Sequence, residues 1–209
     1  MRIAEIFYSL QGESSYSGKP CIFLRLSGCN LSCSYCDTQY AQERGEEIPI
    51  ADILGRLEAY ACPLVEITGG EPLLQEDVYP LCDKLLHQGY TVLLETNGSQ
   101  DISRVPQGVV RIMDIKCPGS RMSGYMCWEN IPRLEARDEV KFVISSRDDY
   151  TWARGIMSRY ELGDNVLMSP AYGALPLQDL ASWIIADRLP VRFQIQLQKY
   201  IWGPDRRGV

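Results

Sequence analysis

The chain has 209 residues, 45% of them apolar, and a formal charge of −6. That size suits one domain with a real hydrophobic core, and the acidic balance argues against a nucleic-acid partner, because phosphate binding relies on concentrated Lys and Arg. No apolar run approaches the roughly 18 residues of a membrane span and the N-terminus lacks the apolar core of a signal peptide, so a cytoplasmic protein with no membrane partner is expected.

Partial period-two alternation over 2–9 predicts a short strand, and Gln11-Gly-Glu-Ser-Ser-Tyr-Ser-Gly18 a polar loop bounded by glycines. A second strand is expected over 21–26, with Arg25 its one embedded charge. A buried arginine must be paired, so Arg25 meets either an internal carboxylate or an acid held in a cavity. Next comes Gly28-Cys-Asn-Leu-Ser-Cys-Ser-Tyr-Cys-Asp-Thr38, a C-x3-C-x2-C run. Three thiolates this close converge only where the backbone folds back on itself, as a loop after a strand can. Soft thiolates suit zinc, copper(I) or an iron–sulfur cluster. A closed structural zinc site takes four protein ligands, yet no further Cys or His lies nearby, and the one histidine, His87, is far along the chain. Three ligands on a four-iron cube leave one iron open to something that is not protein.

A helix is expected over 49–60, with Pro49 in its first turn and Ile50, Ile53, Leu54 and Leu57 forming one apolar stripe. A strand over 64–68 ends in Gly69-Gly-Glu-Pro72, and a helix over 76–88 is closed by Gly89. Strands over 91–95 and 109–115 end in Thr96-Asn-Gly98 and Lys116-Cys-Pro-Gly119. A strand over 139–144, a helix over 148–160, a short strand over 166–168 ending in Ser169-Pro170 and a helix over 177–188 follow. The C-terminal segment 191–200 is expected to close the fold with a last strand over 191–197. Cys21, Cys62, Cys82, Cys117 and Cys127 share no ligand spacing and read as small buried or half-buried side chains in a reducing compartment.

Strands alternating with helices mean right-handed crossovers and a mostly parallel sheet. Polar, glycine-rich residues fall just after strands, where α/β folds build their sites. A full eight-unit barrel typically needs about 250 residues, so residues 1–209 are expected to form a single partial or modified (β/α)6 barrel. The repeat breaks down over 119–136. A doubly wound open sheet is the competing topology.

The cysteine run, with Tyr35 just before its third cysteine, and Gly69-Gly-Glu-Pro72 after the next strand resemble the radical S-adenosylmethionine (SAM) superfamily. Within it the chain resembles the 7-carboxy-7-deazaguanine synthases over nearly its whole length. Phe7-Tyr-Ser-Leu-Gln-Gly-Glu13, Phe23-Leu-Arg-Leu-Ser-Gly-Cys29, Cys36-Asp-Thr38 and Glu66-Ile-Thr-Gly-Gly-Glu-Pro72 carry that likeness. Glu95-Thr-Asn-Gly98, Asp114-Ile-Lys-Cys-Pro-Gly-Ser120, Lys141-Phe-Val143 and Gln196-Leu-Gln-Lys-Tyr200 complete it. The resemblance implies a radical SAM barrel and a lyase that contracts 6-carboxy-5,6,7,8-tetrahydropterin to 7-carboxy-7-deazaguanine with loss of ammonia, on the way to queuosine and other 7-deazapurines. It implies three cofactors, a [4Fe-4S] cluster, SAM and Mg2+. It further implies a homodimer and an external electron donor such as flavodoxin.

Carried over position by position, the resemblance gives Cys29, Cys33 and Cys36 to the cluster and Thr38 to magnesium. Tyr35, Cys36, Asp37, Gly70 and Glu71 would lie along SAM, with Glu71 able to accept from its ammonium group, as would Asp114, Ile115 and Lys116 and the strand end Met168, Ser169, Pro170 and Ala171. Leu10, Gln11, Gly12, Arg25 and Thr68 would hold the pterin, with the Arg25 fork clamping its carboxylate. No residue is singled out as an acid or base. Gln198 stands where many relatives carry a histidine, and since Gln cannot titrate near neutrality a positioning role is expected there. Two other readings compete: a radical SAM activase working on a glycine of a partner enzyme, and a non-catalytic iron–sulfur module.

Overall fold

The structure, a computed structural model, describes residues 1–42 and 45–209. Strands β1 (Arg2–Leu10) and β2 (Pro20–Leu26) pair antiparallel, and the two-residue β3 (Glu46–Glu47) adds antiparallel to the outer edge of β1. From β2 onward all pairing is parallel, through β4 (Leu64–Gly69), β5 (Thr91–Thr96), β6 (Val110–Asp114), β7 (Glu139–Ile144), β8 (Val166–Pro170) and β9 (Arg192–Phe193). The sheet order is β3-β1-β2-β4-β5-β6-β7-β8-β9. A doubly wound sheet reverses its strand order at a switch point. Here the order only ascends from β1 to β9 apart from the edge strand β3, as in a barrel left open, so the partial (β/α)6 reading holds and the doubly wound one does not.

Helices α1 (Ile50–Glu58), α2 (Val78–His87), α3 (Arg147–Tyr160) and α4 (Leu177–Ala186) carry crossovers between parallel strands. Each buries one stripe: Ile53 and Leu57 of α1, Leu81 and Leu85 of α2, Ala153 and Met157 of α3, Leu180 and Ile184 of α4. Each pair is four residues apart, one helical turn, so it lands on the same face. Where the sequence pattern broke down, the β6–β7 connection runs through three 3-10 turns, Pro118–Ser120, Ser123–Tyr125 and Trp128–Arg133.

Period-two alternation gives each strand two different faces. Outward residues such as Ile22, Leu24, Val65, Ile67, Val92 and Leu94 pack with α1 and α2 in one core. Phe142, Ile144, Tyr150, Ala153 and Leu180 build a second core under α3 and α4. The opposite face carries Phe23, Arg25, Glu66, Thr68, Glu95, Ile112, Asp114, Lys141 and Val143, and it lines a cavity. A buried parallel strand is ordinarily apolar on both sides, so the charges on this face mark the functional side of the sheet.

The closing strand expected over 191–197 is corrected by the structure. Pairing stops at Arg192–Phe193, and Leu197–Ile201 forms the short helix α5. The apolar spacing of Val191, Phe193, Ile195 and Leu197 has a strand's period. The backbone nevertheless leaves the sheet after Gln194 N donates to Met168 O (3.0 Å), and Leu197 N donates to Gly12 O (3.0 Å). The segment therefore crosses from the sheet edge to the loop between β1 and β2. Strand β8 also runs further than expected, to Pro170, and β3 had no sequence signal.

Candidate active site

The inner face encloses a cavity of about 640 Å³. The loop 11–19 precedes β2 and so lies at the N-terminal ends of the parallel strands, while the cysteine loop follows β2 at their C-terminal ends. Between them the strands present one connected polar network. Lys141 Nζ, on β7, reaches Glu13 Oε2 at 3.0 Å and Asp114 Oδ2 at 3.5 Å, and donates to Glu95 Oε1. Lys116 Nζ donates to Asp114 Oδ2 at 2.8 Å, and Thr68 Oγ1 to Glu95 Oε2 at 3.0 Å. Gln11 is clamped at both ends of its amide. Its Nε2 donates to Glu66, and its Oε1 accepts from Glu13 N at 3.0 Å.

Burial makes these charges depend on one another. It opposes the charged form of Lys141, but Glu13, Glu95 and Asp114 outweigh it and hold the ammonium well above the usual lysine range. Burial likewise opposes ionised Asp114, yet Lys116 and Lys141 hold its carboxyl below the ordinary value. Glu66 goes the other way, because burial, then Glu95 and Glu13, push it up to about 8. Carboxylates crowded together oppose one another's ionisation.

Cys29, Cys33 and Cys36 are free, half-buried and all on the cavity wall. The loop is pinned by backbone bonds: Gly28 N to Ala41 O (2.8 Å), Glu71 N to Gly28 O (2.8 Å), Ser34 N to Ser120 O (3.1 Å). Nitrogen donors already point at two of the sulfurs. Leu31 N lies 3.4 Å and Asn97 Nδ2 3.7 Å from Cys29 Sγ, and Gln42 Nε2 lies 3.8 Å from Cys36 Sγ. Such donors tune thiolate-held clusters. Burial raises the Cys29 and Cys33 thiols, a cost that a bound cation would offset. Among the described residues no three His, Cys, Asp or Glu side chains gather on a single metal ion.

Beside this loop, Gly69 and Gly70 have no room for a side chain. Gly69 has φ +139° and a Cβ there would stand 2.1 Å from Leu26 O, while one on Gly70 would stand 1.9 Å from Gly28 O. Bare backbone is what lets the two loops meet at the cavity.

Of the residues expected at the site, Leu10, Gln11, Gly12, Arg25 and Thr68 line the cavity, as do Cys29, Cys33, Cys36 and Thr38. Tyr35, Asp37, Gly70, Asp114, Lys116 and Ala171 also do. The side chains of Glu71, Ile115, Met168, Ser169 and Pro170 do not. Glu71 is fully buried and accepts from Leu73 N (3.0 Å), Thr96 Oγ1 (2.9 Å) and Asn97 N (2.6 Å), so its carboxylate fastens the Gly-Gly turn. Ile115 and Met168 point into the second core, Ser169 is buried, and Pro170 borders a separate pocket with Tyr172 and Ile195. Alternation turns Met168 away from the site, while Ser169 shares the face of Val143, its partner in β7, yet is buried.

Sequence reasoning named no role for Glu66, Glu95 and Lys141, although each is a charge set among apolar neighbours in a parallel strand, the signal by which Arg25 was noticed. It put the segment after β9 in a closing strand and so missed the contacts of Gln196 and Lys199. Gln196 Nε2 donates to Glu13 Oε1 (3.0 Å) and Asp37 Oδ2 (3.1 Å), and Lys199 Nζ meets Asp37 Oδ2 at 2.6 Å. Burial opposes the Asp37 charge, but Lys199 and these hydrogen bonds hold its carboxyl below the usual range. Pro204, Asp205, Arg207 and Val209 complete the wall, with the Arg207 guanidinium 4.1 Å over the Tyr40 ring.

Comparison with known proteins agrees with this geometry. Residues 24–111 match the radical SAM superfamily. The chain is 44% identical over 226 residues to the 7-carboxy-7-deazaguanine synthase of Koribacter versatilis, with 100% of each chain covered. It is 45% identical over 214 residues to the synthase of Chlorobaculum tepidum, covering 100% of this chain and 97% of the other. Against the synthase of Neisseria meningitidis it is 50% identical over 208 residues, covering 97% and 92%. The crystal structure of QueE from Escherichia coli has the same fold, with a TM-score of 0.75, 23% identity and coverage of 94% of this chain and 93% of that one. Likeness at that level along the whole of each relative settles membership: the chain belongs to the 7-carboxy-7-deazaguanine synthase family of the radical SAM superfamily.

Proposed function

We propose that the cavity on the inner face of the sheet is where this chain carries out its family's reaction, with the residue roles that follow. The enzyme is a radical SAM lyase that converts 6-carboxy-5,6,7,8-tetrahydropterin to 7-carboxy-7-deazaguanine, releasing ammonia, for queuosine and 7-deazapurine biosynthesis. Cys29, Cys33 and Cys36 would hold the [4Fe-4S] cluster, leaving its open iron for SAM. When bound, cluster and SAM together supply a carbon-centred radical by one-electron cleavage of the sulfonium bond.

The chain's own groups bind, orient and exclude water. Among the described residues Asp114 Oδ1 is buried and without a hydrogen-bond partner, which suits an N–H or O–H of SAM. Gln198 Oε1 is likewise buried and unpartnered, and it suits an N–H of the pterin where relatives carry histidine. Arg25 holds the substrate's carboxylate with its planar fork. The doubly clamped Gln11 offers a fixed wall. Lys141 works as a permanent cation and not as a base, because three carboxylates hold its proton. Phe7 and Phe23, stacked at 4.9 Å, supply an apolar flank, and the tail residues from Pro204 to Val209 limit water at the rim.

Magnesium would meet Thr38 Oγ1, which stands on the cavity wall 3.8 Å from Cys36 Sγ. One hydroxyl cannot hold the ion alone, so substrate oxygens and waters would complete its octahedron. A homodimer and a flavodoxin-type electron donor belong to the same reading. So does a cytoplasmic location, whose reducing milieu suits eight free cysteines. No helix among the described residues is long and apolar enough to cross a membrane.

The observation that carries this reading is three free thiols and a half-buried, charged arginine on the walls of one cavity. Its test is anaerobic reconstitution with iron and sulfide, followed by SAM. The reduced cluster's spectrum should shift on adding SAM in the wild type. Replacing Cys29, Cys33 or Cys36 by Ala should strip iron, whereas Cys82→Ala should not. Full iron in all three loop variants would overturn the cluster assignment.

A further inference from the structure

The charge that faces Arg25 has no part in the reading above, and its placement is specific. Glu5 of β1 lies directly across from Arg25 of β2, and the register between the strands shifts between Ile3 and Glu5. Ile3 opposes Leu26, so two steps along β1 match one step along β2. An extra residue of this kind re-aims the side chain beside it. In an unbroken strand Glu5 would share the face of Ile3, which is buried with Leu26 in the outer core. The bulge instead turns Glu5 to the face of Arg25.

The contact made there is selective. Arg25 Nε donates to Glu5 Oε1 at 2.8 Å, and the same oxygen accepts from Tyr40 Oη at 2.6 Å. Nε is the guanidinium nitrogen nearest the stem, so a bond to it fixes the plane and leaves both Nη groups at the far end. Among the described residues neither Nη has a hydrogen-bond partner, and Arg25 lines the cavity whereas Glu5 does not. A carboxylate meant only to neutralise Arg25 would gain more from a two-pronged grip, the stronger geometry. Here Glu5 takes Nε alone, and both Nη groups are left open.

We infer that Glu5, held by Tyr40, is a positioning residue that fixes the Arg25 fork towards the cavity and so sets the enzyme's preference for a carboxylated pterin. The inference rests on the reading that Arg25 holds the substrate's carboxylate. It separates geometry from charge. Glu5→Gln keeps an acceptor oxygen at the same reach and loses the charge. Glu5→Asp keeps the charge and withdraws the oxygen by one methylene.

The experiment compares KM and kcat for 6-carboxytetrahydropterin in both variants, and inhibition by tetrahydropterin lacking the carboxylate. Iron content and the SAM-induced spectral shift serve as controls on folding. Glu5→Asp should raise KM roughly ten- to hundredfold with kcat much less affected, since a shifted clamp weakens capture. Its affinity for the carboxylate-free analogue should stay at the wild-type value. Glu5→Gln should stay within about threefold of wild type in KM, because its oxygen still anchors Nε. Wild-type KM in Glu5→Asp, or equal losses for both pterins, would overturn the inference and leave Glu5 a plain counter-charge. Arg25→Ala serves to separate the two claims. If it does not diminish the preference for the carboxylated pterin, the Arg25 reading itself fails. If it abolishes that preference while Glu5→Asp keeps it, only the Glu5 inference fails.

Discussion

Single residues in and beside this cavity divide by what surrounds them. Glu71 and Glu66 are both buried glutamates on or just after β4, yet Glu71 is satisfied by three donors of its own fold while Glu66 faces other carboxylates across the cavity. Among the described residues Thr38 Oγ1 has no such tie beyond the 3.8 Å approach to Cys36 Sγ. If that hydroxyl meets magnesium, it fixes the ion's place more than its affinity, since magnesium sheds inner waters reluctantly. Misplacing a reacting atom by about 1 Å can cost on the order of 100-fold in rate. Thr38→Ala should therefore keep iron and SAM binding but slow turnover and flatten its dependence on Mg2+, while Thr38→Ser retains most of both. Initial rates against Mg2+ after chelation of trace metal decide it. Identical curves for all three proteins would return Thr38 to an ordinary turn residue.

At the scale of elements, the cysteine loop depends on a neighbour that contains no ligand. Gly70 lies so close to Gly28 O that a methyl group would stand 1.9 Å from it, and 3.0 Å from Cys29 Cβ. Gly70→Ala should thus lower iron content although every cysteine remains. Gly55→Ala in α1, where a Cβ meets nothing within 4 Å, should leave iron unchanged and add about 0.4–1 kcal/mol of stability. Equal iron in both variants would mean the Gly-Gly turn does not support the loop. These glycines were legible in the sequence because a Gly-Gly after a strand has few other uses. The strand–helix alternation was legible too, since Leu81 and Leu85 or Ile22 and Leu24 repeat at the period of their element. The end of the chain was not, because a period-two apolar pattern cannot reveal that Leu197 N bonds Gly12 O and leaves the sheet. Nor could the sequence pair Lys141 with Glu13, 128 positions apart, since only the closing curve of the sheet brings them together.

For the whole molecule, a polar inner face is a standing cost offset by the two apolar cores outside it. Glu66 makes that cost measurable. Its carboxyl is ordinary in the unfolded chain and pushed up to about 8 in the fold, so between those values the folded state holds a proton the unfolded state has lost. Its contribution is fully present below the ordinary carboxylate value of 4.5 and declines as pH rises through about 8. Glu66→Gln should remove that part of the decline, so its melting temperature relative to wild type should be higher at pH 8.5 than at pH 5. A constant difference across pH would place the charge elsewhere. The same face, closed at one end by loop 11–19 and lined by the three thiols at the other, is the chamber to which the proposal assigns the ring contraction. The most direct test is anaerobic turnover of the reconstituted protein with 6-carboxytetrahydropterin, SAM, Mg2+ and a chemical reductant, followed by mass spectrometry. The account predicts 7-carboxy-7-deazaguanine and ammonia in equal amounts, both absent in Cys33→Ala. A protein with a full cluster and a SAM-dependent spectral shift that leaves the pterin unchanged would contradict it.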